Sequence, residues 1–389
     1  VTPHSRIKLL SKVFVACAIA FAWEPCWARY YDLYRADYIK GAFCSVIGGA
    51  CASDIDFDNS FFQNPASLTA GGGDWDYDYD SIAGTNLEPG MKAGNDVSDS
   101  TFMAGVAYAT KKIGIGFSFL RRRTHVSAIG TFSDDVAGGQ VQFQTSTNST
   151  LYQLNMPVSA KFNKSLDVGV TLSALFSSIQ TEVSGASSSA ANSPQQPGAT
   201  FGLTAGAIYR LDQQHIIGAW LRSPLTYYLN QNLVTQSAFT RFNYSESMAL
   251  HQPLLVALGG GWTPWKNKKM GAFMDLNIVG TTQDGYLLTY DNFASAEESS
   301  RLVHKGRWVV VDPRLGLRLP LFGGDSNQTL SLGSYYESSR WQGIPGLFHA
   351  TAGFAWKFPR FQFLIFDGVE LMVGGDYAQG YSSFFFTYR

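Results

Sequence analysis

Apolar and polar residues alternate strictly through several stretches of this chain. Leu166, Val168, Val170, Leu172 and Ala174 fall on one side of an extended backbone, against Asp167, Gly169, Thr171 and Ser173 on the other. Phe201, Leu203, Ala205, Ala207, Tyr209 and Leu211 oppose Thr200, Gly202, Thr204, Gly206 and Arg210 in the same way. Ile217, Ala219, Leu221 and Leu225 oppose Gly218, Trp220, Arg222 and Thr226. Met270, Ala272, Met274, Leu276 and Ile278 oppose Gly271, Asp275 and Asn277, and Phe348 to Phe358 repeats the pattern. A period of two puts each set on one face of a β-strand. Segments of roughly ten residues with one greasy face have the length of a tilted membrane strand.

The gaps between these segments alternate between short and long. Short polar breaks lie at Lys111-Lys112, Asn163-Lys164-Ser165, Asp212-Gln213-Gln214 and Lys266-Asn267-Lys268. Long gaps lie near 85–99, 123–147, 179–199, 230–247 and 283–304. That rhythm is the one bacterial barrels show, with short periplasmic turns and long external loops. The pattern predicts an all-β fold: a transmembrane antiparallel β-barrel of about fourteen strands over 74–389. The expected strands run near 74–83, 101–110, 113–122, 148–162, 166–178, 200–211, 215–229, 249–264, 269–281, 306–320, 328–340, 347–358, 368–377 and 381–389. The alternation of Trp75, Tyr77 and Tyr79 with four aspartates from Asp74 to Asp80 starts the first of these, the acids facing inward. Its competing reading is an acidic surface strand or a calcium-binding loop.

The first residues change the picture. Arg6, Lys8 and Lys12 precede an apolar run from Val13 to Trp23, and Cys26-Trp27-Ala28 offers a cleavage site. The run is too short to span a bilayer, so 1–28 reads as an export signal. Residues 29–73 carry no sustained alternation and precede the first strand, so they could plug the lumen of a barrel this wide. Cys44 and Cys51 are the two cysteines left after the signal. In an oxidising compartment a disulfide is the expected state, with free thiols the alternative.

Composition fits lipid more than water. Charged residues make up 15% of the chain, aromatics 14%, and glycine counts 39. A typical soluble domain carries about 25% charged residues. The formal net charge of -1 gives no field for nucleic acid. The histidines of the mature chain are scattered without ligand spacing, and Gly-x-Ser-x-Gly is absent. Gly259-Gly260-Gly261 precedes no helix pattern. The expectation is therefore no enzyme, no cofactor and no metal.

Certain segments resemble the FadL-type outer-membrane transporters. Gly48-Gly49-Ala50 followed by Phe61-Phe62-Gln63-Asn64-Pro65-Ala66-Ser67-Leu68 resembles the family's Asn-Pro-Ala hatch segment. Pro157-Val158-Ser159-Ala160-Lys161-Phe162 with Leu166-Asp167-Val168-Gly169 resembles its fourth and fifth strands, and Gly218-Ala219-Trp220-Leu221-Arg222-Ser223-Pro224 its Tyr-Arg-Ser stretch. The resemblance implies a monomeric barrel in the outer membrane of a Gram-negative bacterium, surrounded by outer-membrane lipid. Its N-terminal hatch (29–73) would carry the gate residues Asn64, Pro65 and Ala66.

The implied function is passage of long-chain fatty acids or other hydrophobic small molecules through the lumen, with lateral release into the membrane at a kink in the third strand. Gly114 and Gly116 are the kink candidates. Arg210, Arg222, Lys161, Phe61 and Phe62 are the candidate substrate contacts, although pairing with lumen acids such as Asp167 is the plainer role for any one cation. The 230–247 loop, with Leu233, Val234, Phe239 and Phe242, is the better candidate landing site, since 179–199 is short and polar. Two other classes compete: a structural or adhesive barrel without transport, and a barrel lipid hydrolase.

Overall fold

A computed structural model describes residues 44, 46–55, 59–71, 78–89, 95–134, 139–185, 188–191, 198–236, 241–263, 270–282, 285–286, 303–321, 327–340, 342, 346–357, 361–372 and 378–388. The candidate export signal, residues 29–43 and Asp74–Tyr77 lie outside the described residues. Among the described residues, two four-residue helices, α1 (Asn59–Phe62) and α2 (Ser67–Ala70), precede the strands.

The strands follow in chain order. The first part of the wall is β1 (Asp78–Pro89), β2 (Asn95–Ala109), β3 (Ile113–Asp134), β4 (Gly139–Lys161) and β5 (Leu166–Gly185). After the short β6 (Ser188–Ala191) come β7 (Gly198–Arg210), β8 (His215–Arg222), β9 (Leu225–Gln236), β10 (Arg241–Gln252), β11 (Leu255–Trp262) and β12 (Gly271–Val279). The two-residue β13 (Gly285–Tyr286) and β14 (Val303–His304) pair with each other. The wall resumes with β15 (Val310–Pro320), β16 (Gln328–Glu337), β17 (Leu347–Lys357), β18 (Phe361–Met372) and β19 (Ala378–Tyr388).

Pairing closes the wall. β1 pairs with β2 on one side and with β19 on the other, and β4 pairs with β5. Setting aside β6, which pairs only with the end of β5, the 15-stranded sheet is a ring of fourteen strands among the described residues. Every ladder in the ring is antiparallel. No described helix is long and apolar enough to cross a membrane.

Exposure follows the alternation. Ile113, Ile115, Phe117, Val168, Val170, Leu172, Phe201, Leu203, Ile217 and Leu221 are all exposed, while Asp167, Gly169, Thr171, Ser173 and Thr204 are buried on the other face. Met274, at 64% exposure, stands between buried Phe273 and Asp275. Apolar side chains of this size each cost about 1.5–3 kcal/mol to leave in water rather than in an apolar phase. A contiguous outer belt of them requires hydrocarbon as its solvent, and the chain is a transmembrane antiparallel β-barrel.

Three of the short turns share one device. Thr110 Oγ1 accepts from the backbone N–H groups of Lys112 and Ile113. Asn163 Oδ1 accepts from Ser165 and Leu166, and Asp212 Oδ1 from Gln214 and His215. A short polar side chain at the turn's start thus substitutes for the missing ladder partner. The hydrogen bond from the His215 ring at 2.9 Å, with those from the two backbone amides, holds the Asp212 carboxyl below the usual carboxylate range.

Several expected boundaries move. The gaps at 85–99 and 123–147 are mostly strand, since β1 runs to Pro89, β2 starts at Asn95, and β3 and β4 meet near Asp134 and Gly139. Ladder hydrogen bonds do not need apolar side chains, so the strands continue past the greasy segment. The single strand expected over 215–229 is two elements, because the chain breaks at Ser223-Pro224 and proline cannot donate to the ladder. Leu225 therefore does not share the face of Ile217 and Leu221; it is buried. The strand expected over 368–377 is β18, and it starts at Phe361. Its start, Phe361-Gln362-Phe363-Leu364-Ile365-Phe366, is apolar at nearly every position and hides the alternation.

Inside the ring, the segment from Cys44 to Gly71 packs against the inner face. Wall glycines leave it room. A Cβ added at Gly218 would lie 1.8 Å from the Ala52 carbonyl oxygen, one at Gly333 2.0 Å from Gly48 N, and one at Gly169 2.6 Å from the Pro65 carbonyl carbon. Gly260, on the outer face, meets nothing closer than 3.9 Å. The pair predicts opposite outcomes for one methyl group. Gly218→Ala should lower the unfolding free energy of the detergent-solubilised protein by about 1–3 kcal/mol, as overpacking does. Gly260→Ala should stay within about 0.5 kcal/mol; thermal melts of the two variants check it.

Candidate functional site: the inner segment, the lumen and the β3–β4 seam

The inner segment is bound through its backbone as well as through the buried side chains of Val46, Ile47, Phe61, Phe62 and Leu68. Cys44 and Cys51 are joined by a disulfide with Cα atoms 5.4 Å apart. Between them Gly48 and Gly49 take φ of 65° and 71°, a conformation only glycine adopts freely. That turn presses Ile47 and Gly48 against Gly316 and Gly333. Thr351 donates to the Val46 carbonyl at 3.0 Å, and Asp275 Oδ2 accepts from the Ala52 N–H at 2.6 Å. Asp54 meets Arg318 at 3.3 Å.

Asn64 is the centre of this binding. It is fully buried, and its Nδ2 donates to the carbonyl of Ala52 at 2.7 Å. The same group reaches the carbonyls of Ala207 on β7 at 3.2 Å and Ala219 on β8 at 3.4 Å. Its Oδ1 accepts from Ala66 N–H at 3.1 Å, which starts the turn into α2. Pro65 approaches Gly169 and Gly206, and Ala66 is fully buried against the wall. Asn-Pro-Ala is thus a docking point that ties the segment to both strands at once.

The candidate cations are placed as follows. Arg210 pairs through Nη1 with the fully buried Asp167 at 2.6 Å, and its Nη2 donates to the Ala70 carbonyl. This is the plainer of the two roles the sequence offered for it. Arg222 donates to the Phe62 carbonyl and lies 5.3 Å over the Trp220 ring. Lys161 is half-buried at the end of β4, next to the turn into β5.

Two side-chain clusters line the lumen. One, on β12, β15, β16 and β17, is polar. Arg314 lies 4.9 Å over Tyr335, Tyr335 stacks on His349 at 3.9 Å, and His349 Nε2 is 3.3 Å from Glu337. With its amide oxygen turned to Arg314, Asn277 accepts from Nε at 2.9 Å and Nη2 at 3.0 Å. The other, on β2–β5 and β9, is apolar. Met103, Leu120 and Leu151 pack with Phe61 and Phe62, and Leu175 and Leu225 pack beside Leu151. Leu225, at the root of the β9–β10 hairpin, fills the space in front of Gly202. These aliphatic residues were not singled out in the sequence. The available signal was a large apolar residue, such as Leu120 or Leu175, at an inward position of a strand.

The seam between β3 and β4 is irregular. Register runs Ile113↔Ala160, Gly114↔Ser159, Ile115↔Val158, then resumes at Ser118↔Asn155. The skipped positions are Gly116 and Phe117 opposite Pro157 and Met156. Pro157 has no N–H to give, so the ladder lapses there. From inside, Phe61 fills the space beside Gly116, and its ring would stand 3.0 Å from a Cβ at that position. Leu68 fills the space at Gly114. Just beyond the lapse a polar bridge restores the connection. Asn155, fully buried, donates to Ser118 Oγ at 3.1 Å and accepts from Ser173 Oγ at 2.7 Å and Gln153 at 2.7 Å.

A closed barrel with an apolar skin and its own N-terminal segment bound in the lumen defines the class. Among solved structures, its fold is that of the FadL, TodX and CymD hydrophobic-compound channels. The CymD monoaromatic hydrocarbon channel aligns at 13% identity over 90% of this chain and 97% of its own, with a TM-score of 0.62. A Pseudomonas aeruginosa FadL homologue aligns at 12% identity over 90% and 98%, also at 0.62. The Pseudomonas putida toluene transporter TodX aligns at 12% identity over 89% and 96%, at 0.59. No family model matches the chain, and no curated protein matches it in sequence.

Two substitutions probe the docking. Arg210→Ala leaves Asp167 buried without its partner and should cost roughly 3 kcal/mol or more, as removing one member of a buried pair does. Arg210→Ala combined with Asp167→Asn should recover part of that loss in a chemical-denaturation cycle. Asn64→Ala removes its hydrogen bonds at about 1 kcal/mol each. It should expose 44–71 to limited proteolysis while the barrel itself stays resistant.

Proposed function

We propose that this protein is an outer-membrane channel for hydrophobic small molecules, which enter a greasy pocket in the lumen and leave sideways through the β3–β4 seam. The observation that carries the reading is the coincidence at Gly116. The ladder lapses at Pro157, and the ring of Phe61 from the inner segment sits against the lapse. The apolar cluster of Met103, Leu120, Leu151, Leu175 and Leu225 lies next to it and would line the path. A cargo gains about 0.8 kcal/mol for each CH₂ buried there. Movement of Phe61 would connect the pocket to the membrane without opening the rest of the wall. The segment 29–73 acts as the hatch towards the periplasm, held by Asn64, Pro65 and Ala66, and the protein works as a monomer. The neighbouring folds belong to channels and transporters, in line with transport rather than bond chemistry.

The resemblance in sequence points to long-chain fatty acids as the cargo. A second reading, neutral ring hydrocarbons, draws support from Arg210 and Arg222. Both guanidiniums hold carbonyls of the inner segment, and Arg210 also holds Asp167, so a substrate carboxylate would have to compete for them.

Uptake of labelled oleate and labelled toluene by cells with and without the protein tests both. Oleate uptake should rise with the protein if the carboxylate is accommodated. A rise for toluene alone selects the neutral cargo, and no rise for either removes the transport reading.

A further inference from the structure

On the outer face of β3 the side chains that point to lipid are, in order, Ile113, Ile115, Phe117, Phe119, Arg121 and Arg123. Four apolar positions are followed by two exposed arginines on the same face, while Arg122 between them is half-buried on the other. A strand tilted by about 40° climbs roughly 2.5 Å of height per residue. Arg121 therefore stands about 20 Å above Ile113, and Arg123 about 25 Å, where an apolar belt of about 25 Å ends. The neighbours mark the same level. Phe119 stacks with Tyr152 at 6.1 Å, and Phe102 and Tyr152, both exposed, flank Arg121 in register on β2 and β4. Aromatic side chains gather at the membrane–water interface in this way. The residues opposite Arg123 are Ser100 and Thr150, so no acid faces either arginine across the ladder.

We propose that Arg121 and Arg123 form a docking station for the phosphate of a glycolipid headgroup in the outer leaflet. An arginine at mid-membrane costs about 2–4 kcal/mol, whereas one at the interface costs about 0–1. The guanidinium's planar fork suits phosphate oxygens, which it can hold with two parallel hydrogen bonds. Two of them spaced two residues apart lie about 6.6 Å from each other along the strand, close enough to share one phosphorylated sugar. The seam at Phe117 lies directly below on the same strand, so a lipid held here would stand over the exit. The proposal rests on the barrel standing in an outer membrane and does not depend on transport.

The test uses the full-length protein in detergent, with lipid A bisphosphate and lipid A stripped of its phosphates as probes. Bisphosphorylated lipid A should raise the unfolding midpoint of the unaltered protein, and the stripped form should not. In the Arg121→Gln/Arg123→Gln variant the concentration of lipid A needed for half the shift should rise at least tenfold. Its heat-modified migration on gels should be unchanged. Equal shifts from the two lipid preparations overturn the proposal, and that comparison stands on the unaltered protein alone. So does an unchanged response of the folded double variant. Displacement of bound lipid A by oleate would also overturn it, by assigning the arginines to a departing carboxylate.

Discussion

Hydrocarbon offers no hydrogen bonds, so each backbone N–H and C=O in the wall must find its partner inside the chain. That requirement governs the whole molecule. It makes the sheet curl until β19 meets β1, through seven register pairs from Ser81↔Tyr388 to Leu87↔Ser382. It also gives every lapse in the ladder a meaning. At most places the chain avoids lapses even where its side chains are polar, as β3 and β4 show by running on to Asp134 and Gly139. The exception at Pro157 is placed inside the belt, where an unpaired group is most costly; Phe61 packs against it from within, and the Asn155 bridge ties the strands together just beyond it.

Closure leaves a lumen, and the lumen is occupied through main-chain contact. Glycines at 169, 218, 316 and 333 let the inner segment come to backbone distance, and Asn64 spends its amide on three carbonyls belonging to the segment and two wall strands. The segment's hold comes from that fit and those hydrogen bonds together with the buried apolar side chains of Val46, Ile47, Phe61, Phe62 and Leu68. The apolar cluster with Met103 and Leu120 adjoins the lapse in β3–β4, and the polar cluster with Arg314, Tyr335 and His349 is on other strands.

Much of this was legible in the order of residues. Period-two alternation identified the lipid face wherever one face was polar, as in β5, β7 and β12. Turn chemistry at Asn163 and Asp212 marked the short ends. Where both faces are apolar, as at Phe361–Phe366, the period disappears and the strand was displaced along the chain. Pro224 reset the phase, so Leu225 went to the wrong side. The apolar cluster escaped notice because it is assembled from single inward residues on β2, β3, β4, β5 and β9, and such an assembly exists only once register is known. The lapse at Pro157 is likewise a property of two strands. Gly114 and Gly116 lie on one strand of that pair, but the missing donor is on its neighbour.

A reversible lock across the seam measures whether cargo passes between β3 and β4. Phe117→Cys with Met156→Cys places thiols across the lapse, and Ala205→Cys with Leu221→Cys places them across the regular β7–β8 ladder. Uptake of hydrophobic cargo should cease when the first pair is oxidised, return on reduction, and be indifferent to oxidation of the second. Undiminished uptake through the oxidised β3–β4 lock would contradict the account.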